Sequence, residues 1–246
     1  MNGHSPAPRD ADGRPPPRDG KHSMAMSTEG AFAPPPRGST RRQIESVAAE
    51  LFYRRGYGNT SVREILAALG MTPAAMYNHF RSKEELLHSI ASRTCAELER
   101  QLAEAFERGG GDPVRELWEA ARTLTVFHTT YRLEAVVSRS ETHHLPPSLS
   151  TEIRDSERRI RREFERMLEQ GRTRGAFRAA LPGGREADIP VTAKALLDMC
   201  IHAGLWFRPE GRLSAEEIAE QYGVLVLRAA GVGHDEIQSL SASGPK

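Results

Sequence analysis

Apolar residues recur at helical spacing from about position 40 onward, and this pattern predicts the secondary structure. One face of the first segment carries apolar residues at i, i+3, i+4, i+7 and i+8: Ile44, Val47, Ala48, Leu51 and Phe52. Thr40 with Gln43 forms a capping-box pattern before this face, and Gly56 is a stop signal after it. The pattern therefore predicts an amphipathic helix between Thr40 and Gly56.

Two short helical segments joined by a glycine come next. Ser61 begins a second capping-box pattern, which predicts a helix over 61–69, and Gly70 ends it. A further short helix is predicted over 72–80, with Thr72 as its N-cap. Two short helices with a tight turn between them form the helix-turn-helix unit, whose second helix enters the DNA major groove.

The rest of the chain continues the helical pattern. Cap signals and apolar periodicity predict five further helices, at about 82–108, 112–140, 149–174, 190–206 and 214–231. No stretch alternates as a strand would, so we predict an all-α chain of about nine helices. The helix over 190–206 is apolar around almost its whole circumference, which indicates burial inside a domain or between subunits.

Composition changes this picture at the ends of the chain and in its charge. Residues 1–36 hold eight of the sixteen prolines and show no periodicity, so we expect a disordered tail, and we expect a second flexible tail at 234–246. Residues 37–93 carry nine basic and five acidic groups, while the whole chain carries only +1. A basic segment on a near-neutral chain favours a polyanion contact at that segment.

Other patterns narrow the class of protein. Cys95 and Cys200 are the two cysteines and lack metal-ligand spacing, and no apolar run is long enough to span a membrane or serve as a secretion signal. These observations predict a cytoplasmic protein without a membrane segment. His143 and His144 with Glu141 are a weak metal pattern, and no catalytic motif appears, so we expect no enzyme, no cofactor and no metal.

The second short helix carries side chains suited to DNA. Met71, Met76 and Phe80 are predicted to face the core, which places Tyr77 and its two neighbours Asn78 and His79 on or beside the outer face. Tyrosine and histidine can hydrogen-bond to phosphate, and asparagine can reach a base edge. Lys83, at the start of the next helix, adds a cation beside an exposed helix N-terminus.

These residues carry a family resemblance. The run "SVREILAALGMTPAAMYNHFRSKEELL" resembles the DNA-binding region of TetR-family transcriptional regulators, with one departure at Leu66, where many members have alanine. The resemblance is strong over 40–90 and implies a DNA-binding domain over 37–90. The DNA contacts proposed on this basis are Arg42, Thr60, Ser61, Arg63, Thr72, Pro73, Ala74, Ala75, Tyr77, Asn78, His79 and Lys83.

The resemblance further implies a ligand-binding and dimerisation domain over 91–233. Candidate pocket residues are Trp118, Phe127, His128, Tyr131, Phe164, Met167, His202 and Trp206. Candidate interface residues of a homodimer are Leu197, Ile201, Ile218, Tyr222 and Leu225. Two recognition helices related by a two-fold axis would then read a pseudo-palindromic operator in double-stranded DNA.

The C-terminal string "GLWFRPEGRLSAEEIAEQYGVLVLRAAG" is similar to family members that sense acyl-CoA thioesters of lipid or sterol breakdown. We therefore expect a repressor that a small-molecule effector of this class releases from its operator. Two alternatives stay open. One is a family member that controls an efflux or detoxification gene and senses an apolar drug-like ligand. The other is a non-specific structural DNA-binding protein.

Overall fold

The computed structural model describes residues 40–242, apart from the side chains of residues 73, 75, 241 and 242. Along this range run ten α-helices and one 3₁₀ turn: α1 (Thr40–Arg55), α2 (Val62–Ala68), α3 (Pro73–Tyr77), α4 (Lys83–Gly109), α5 (Pro113–Thr130), α6 (Arg132–Ser140), η1 (Thr142–His144), α7 (Pro147–Thr173), α8 (Ile189–Trp206), α9 (Ala215–Ala229) and α10 (His234–Ala242). Between 40 and 242 the only β pairing is an isolated bridge from Ala180 to Glu186. The all-α prediction is confirmed, and the expected tail over 1–36 lies outside the described residues.

Capping explains several helix starts. The Ser61 hydroxyl accepts from the Glu64 amide while the Glu64 carboxylate accepts from the Ser61 amide, so the predicted capping box before α2 is confirmed. Before α4 the box is only half formed. The Ser82 hydroxyl accepts from the Glu85 amide, but the Glu85 carboxylate accepts from the Arg81 amide instead.

Two helix boundaries differ from the predicted ones. Helix α3 ends at Tyr77 rather than near Phe80, because the amides of His79 and Phe80 both donate to the Met76 carbonyl and close a turn there. The predicted helix over 112–140 is two helices, since the backbone leaves the helical region at Tyr131. Neither glycine nor proline marks that break in the sequence.

The C-terminal prediction is wrong for most of its length. Residues 234–242 form α10 rather than a flexible tail, and Ile237 is 3% exposed in the larger core. Val232 and Leu240 pack into the same cluster, which explains why this short helix stays on the body of the protein. Residues 243–246 lie outside the described range.

The buried apolar residues form two clusters. The smaller one joins α1, α2, α3 and the first part of α4, and it also takes in Val137, Leu145 and Ile153 from later in the chain. The larger one is built around α5, which packs against α4, α8 and α9. Helix α4 contributes to both clusters as one unbroken helix of 27 residues, so the predicted domain boundary at 90/91 falls inside it.

Candidate DNA-binding surface and effector cavity

The turn between α2 and α3 is built on Gly70. Its φ of +64° is in the left-handed region that favours glycine, and its amide donates to the Ala67 carbonyl. The amide of Met71 donates to the Leu66 carbonyl, which closes the turn. Leu66 itself is 1% exposed, so the smaller core accommodates the leucine that departs from the family pattern. The two short helices are thereby held at a fixed angle.

Helix α3 has five residues and depends on tertiary contacts, because helices this short are not stable alone. Met76 and Phe80 are fully buried beneath it. The Arg41 guanidinium donates to the His79 carbonyl at 2.9 Å and lies 4.3 Å from the centre of the Phe80 ring. Arg41 was not among the predicted site residues, and its contact satisfies a carbonyl just beyond the end of α3.

Most of the predicted DNA contacts lie on the outside of this unit. Tyr77 is 65% exposed although the adjacent Met76 is fully buried. His79 is half-buried, and Pro73 and Ala75 occupy the first and third positions of α3. The remaining exposed members of the predicted set are Arg42, Ser61, Arg63, Thr72, Ala74 and Asn78. Exposed residues are therefore available at α3 and at the start of α2.

Thr60 does not belong to this face. Its side chain is buried, and its hydroxyl donates to the carbonyls of Gly56 and Leu51 at 3.0 and 3.3 Å. The prediction that Thr60 contacts DNA is wrong for this structure, because the hydroxyl fastens the end of α1 to the start of α2. The neighbouring Ser61 hydroxyl is exposed but takes part in the capping box with Glu64.

Lys83 is at the N-terminus of α4, as predicted, but its ammonium group is occupied. It donates to the Tyr57 carbonyl and lies 3.9 Å from the centre of the Tyr57 ring. Burial lowers the pKa of Lys83, while Glu84 and Glu141 oppose this effect. The contact ties the start of the α1–α2 loop to α4, so a phosphate contact by this side chain requires that it leave Tyr57.

A buried ionic cluster joins α1 to α4. The Glu45 carboxylate is 3% exposed and lies 3.1 Å from Nε of Arg93 and 3.6 Å from Nε of Arg41. It also accepts from the Ser89 hydroxyl at 2.7 Å. Since Arg41 holds the His79 carbonyl, this cluster connects the end of α3 to the middle of α4. Sequence patterns did not identify it, because Glu45 falls beside the apolar stripe of an amphipathic helix.

A cavity of about 450 Å³ lies between helices α4, α5, α6, α7 and α8. Six apolar residues line it, Leu98, Leu124, Phe127, Ala135, Leu197 and Ile201, together with the buried hydroxyls of Thr94 and Ser138. Charged side chains with exposed ends surround its opening: Arg139, Glu157, Arg161, Lys194 and Asp198. Arg139 is paired with Asp198 at 3.0 Å and Arg161 with Glu165 at 3.5 Å. This volume and lining are typical of a small-molecule site.

His128 is the titratable side chain of the inner wall. Its Nε2 is buried and has no hydrogen-bond partner among the described residues. Burial, helped by the positive charge of Arg139 and by His202, lowers its pKa to about 3, so the imidazole is neutral near pH 7. Helix α8 approaches it closely, since a Cβ at Gly204 would lie only 2.3 Å from the His128 carbonyl oxygen.

Two of the eight predicted pocket residues, Phe127 and His128, line this cavity. Trp118 instead packs on α9 at Gly223, and Phe164 and Met167 are fully buried in the larger core. The others that do not line it are Tyr131, whose ring contacts Phe127, and the exposed His202 and Trp206. The prediction favoured large aromatic residues, and periodicity alone did not show which face of each helix turns to the cavity.

A smaller cavity of about 290 Å³ lies beside the loop between α7 and α8. Its two arginines are already engaged: Arg172 with Glu186 at 3.0 Å, and Arg178 with the Gly175 carbonyl at 3.1 Å. We place the candidate ligand site in the larger cavity, because it has the greater volume and lies between five helices. Across residues 40–242, no three metal-ligating side chains are grouped to hold a metal, and no helix is long and apolar enough to cross a membrane.

Helices α8 and α9 present large apolar side chains to the outside. Val191 is 68% exposed, Leu205 53%, Trp206 50% and Leu225 47%. Two predicted interface residues are wrong, because Leu197 and Ile218 are buried within the single chain, at 7% and 5% exposed.

The other predicted interface residues lie elsewhere on the same two helices. Ile201 lines the cavity, and Tyr222 is half-buried with its ring 6.2 Å from that of Trp206. Leu225 is exposed, so Leu225 and Tyr222 stay predicted contacts of a second copy.

Two family models match the chain. One, described as tetracyclin repressor-like, C-terminal domain, matches residues 110–230. The other, described as bacterial regulatory proteins of the tetR family, matches residues 44–90, which span α2, α3 and the turn between them. The first range includes most of the residues that line the larger cavity, and the second includes α2 and α3.

Known proteins are similar over most of their own length. The HTH-type transcriptional repressor KstR2 of Rhodococcus jostii is 26% identical over 212 residues, which is 83% of this chain and 100% of that protein. A tetR-family regulatory protein of Rhodococcus RHA1 has a solved structure that is 30% identical, with a TM-score of 0.69, covering 78% of this chain and 97% of that one. AibR, solved with isovaleryl coenzyme A and operator DNA, is 28% identical with a TM-score of 0.66, covering 78% of this chain and 99% of AibR.

Proposed function

Because the chain belongs to the TetR family of bacterial regulatory proteins, we propose that it is a transcriptional repressor released from its operator by an acyl-CoA thioester. It acts as a homodimer on double-stranded DNA in the cytoplasm. Each subunit places α3 in a major groove. The two copies of α3 contact a pseudo-palindrome whose half-sites are about one turn of DNA apart. Tyr77 and His79 bind phosphate, and Thr72, Ala74 and Asn78 face base edges.

One observation carries the effector part of the proposal: the cavity has an apolar interior and a cationic opening. Arg139, Arg161 and Lys194 stand at the opening against Glu157 and Asp198. An acyl group suits the interior, and the phosphates of coenzyme A suit the three cations. Arg139 and Arg161 pair with Asp198 and Glu165, and the phosphates of coenzyme A can replace these carboxylates. A neutral drug-like ligand has no group that does so, which favours the thioester over the efflux alternative.

The link to DNA runs through α4. Thr94, Cys95 and Leu98 of α4 line the cavity, and Arg93 of the same helix lies against Glu45 of α1. A ligand that fits the cavity better in one position of α4 than in another favours that position. Because α4 contacts α1, this changes the distance between the two copies of α3 in the dimer. Ligand and operator must then weaken each other's binding by the same factor.

The experiment begins with selection of genomic DNA fragments on the purified full chain at physiological salt, with excess unrelated duplex as competitor. A specific repressor retains a pseudo-palindromic fragment under these conditions, whereas a non-specific DNA-binding protein loses all fragments to the competitor. Titration of the retained complex with isovaleryl-, octanoyl- and palmitoyl-CoA should then release the DNA.

Free coenzyme A and the matching free fatty acids are the controls, since each supplies only one half of the ligand. Release by apolar cationic dyes but by none of the thioesters would support the efflux alternative instead. Retention of no fragment would contradict the repressor itself.

A further inference from the structure

The inner wall of the effector cavity contains one polar feature that apolar packing does not explain. His128 of α5 lines the cavity beside Leu124 and Phe127, yet its buried Nε2 has no hydrogen-bond partner among residues 40–242. Native proteins pair almost all buried polar atoms, and an unpaired one is unfavourable. A histidine at this position is therefore expected to find its partner outside the chain.

The protonation state limits what that partner is. The imidazole is neutral because burial holds its pKa far below neutrality, so it neither needs a carboxylate nor repels the cations of the opening. A neutral imidazole nitrogen accepts from a hydroxyl in one tautomer and donates to a hydroxyl or carbonyl oxygen in the other. The fitting partner is an uncharged oxygen on an otherwise apolar group.

Nε2 of His128 is in a different part of the cavity from the charged side chains. Arg139, Arg161 and Lys194 have exposed ends at the opening, whereas Nε2 of His128 is shielded from solvent. Leu98, Leu124 and Ala135 line the same cavity with hydrocarbon. The other uncharged polar groups of the cavity have partners within the chain, since the Thr94 hydroxyl donates to the Ile90 carbonyl and the Cys95 thiol pairs with the Ser138 hydroxyl. A ligand that satisfies both regions carries its negative charge at one end and a single oxygen within its apolar part.

We propose that His128 sets the specificity of the cavity by hydrogen-bonding a hydroxyl or keto oxygen on the acyl group, so that an oxygenated acyl chain is preferred to a plain one. This inference rests on the proposed function, because it assumes that an acyl-CoA thioester occupies the cavity. It adds the class of acyl group and the residue that distinguishes it. The plain chain of equal length leaves Nε2 unpaired and binds less tightly.

The test compares octanoyl-CoA with its β-hydroxy and ω-hydroxy derivatives, using calorimetric titration of the full chain. We expect at least one hydroxylated thioester to bind roughly tenfold more tightly than octanoyl-CoA, the ratio that one well-placed hydrogen bond gives. His128→Leu replaces the imidazole with an apolar side chain of similar size and should reduce this ratio to below about twofold. His128→Gln keeps a polar nitrogen near the position of Nε2 and should restore part of the preference.

The possible outcomes test the role of His128 and the proposed effector separately. Absence of any oxygen preference in the unmodified chain, or an unchanged preference in His128→Leu, would overturn this inference and leave the thioester repressor standing. Failure of all three thioesters to bind would remove the proposed effector, and this inference with it. Far-ultraviolet circular dichroism and the melting temperature of both variants report correct folding.

Discussion

At the scale of the residue, neighbours in sequence have opposite environments, and the DNA-binding face depends on this. Tyr77 is 65% exposed while Met76, one position earlier, is fully buried. Helical periodicity predicted both, because Met76 and Phe80 fall on the stripe that faces the core and Tyr77 does not. The burial of Thr60 was not predictable in this way, since its hydroxyl is held by two backbone carbonyls across an irregular loop.

We predict that Tyr77→Ala weakens operator binding by about 5- to 30-fold, the loss of one phosphate hydrogen bond and its ring contacts. Thermal stability should change little, because the side chain packs against few neighbours. Fluorescence anisotropy with the selected operator measures the affinity. Leu181→Ala, an exposed residue in the loop after α7, is the matched control and should bind like the unmodified chain. Equal affinities for both variants would argue against the docking of α3.

At the scale of the element, α1 and α4 are joined by an ion pair and a hydrogen bond as well as by apolar packing. Glu45 is almost inaccessible and contacts Arg41, Arg93 and Ser89, so removing its carboxylate removes two ion pairs and one hydrogen bond. Such a loss is costly because Arg93, whose side chain is 24% exposed, stays partly shielded from water without this carboxylate. Burial lowers the pKa of Arg93, and Glu45 is the principal group that opposes this effect.

We expect Glu45→Ala to lower the free energy of unfolding by about 2 kcal/mol, less than the loss of one member of a fully buried ion pair, because Arg93 and Arg41 are partly exposed. Urea denaturation followed by circular dichroism measures the change. Glu50→Ala removes a carboxylate from the same helix, but its pair with Arg54 at 3.1 Å is more exposed, so the change should stay below about 1 kcal/mol. A loss of equal size in the two variants would contradict the importance of the buried cluster.

Sequence patterns predicted helices better than their interruptions. The caps at Ser61 and Asp112 were visible because serine and aspartate before an apolar periodic run have a physical reason to be there. The break at Tyr131 has no such signal, and α10 was missed because nine residues of mixed polarity gave too short a pattern. The cavity was predicted only in outline, since its wall combines one face from each of five helices.

At the scale of the whole molecule, the exposed apolar side chains of α8 and α9 are the main surface left to explain. Val191, Leu205, Trp206 and Leu225 are each about half exposed or more. A second copy related by a two-fold axis would cover the same residues on both chains and place two copies of α3 on one operator. A single five-residue helix contacts too few bases to be specific.

We predict that Leu225→Glu converts the dimer to a monomer, because a carboxylate would be buried without a partner at the interface. Sedimentation equilibrium measures the mass, and operator affinity should fall at least about tenfold as the second head is lost. Leu181→Glu places the same charge on an exposed leucine outside α8 and α9 and should remain dimeric. A dimer that persists in Leu225→Glu would place the interface elsewhere.

The unbroken course of α4 has a consequence for how the protein melts. The smaller cluster is completed by Val137, Leu145 and Ile153, which come from segments beyond α5, so residues 40–91 alone lack part of this cluster. Both apolar clusters include residues of α4, so unfolding of one cluster removes packing contacts from the other. Heating should therefore give a single cooperative transition, and a chain truncated after α4 should not retain its native tertiary structure.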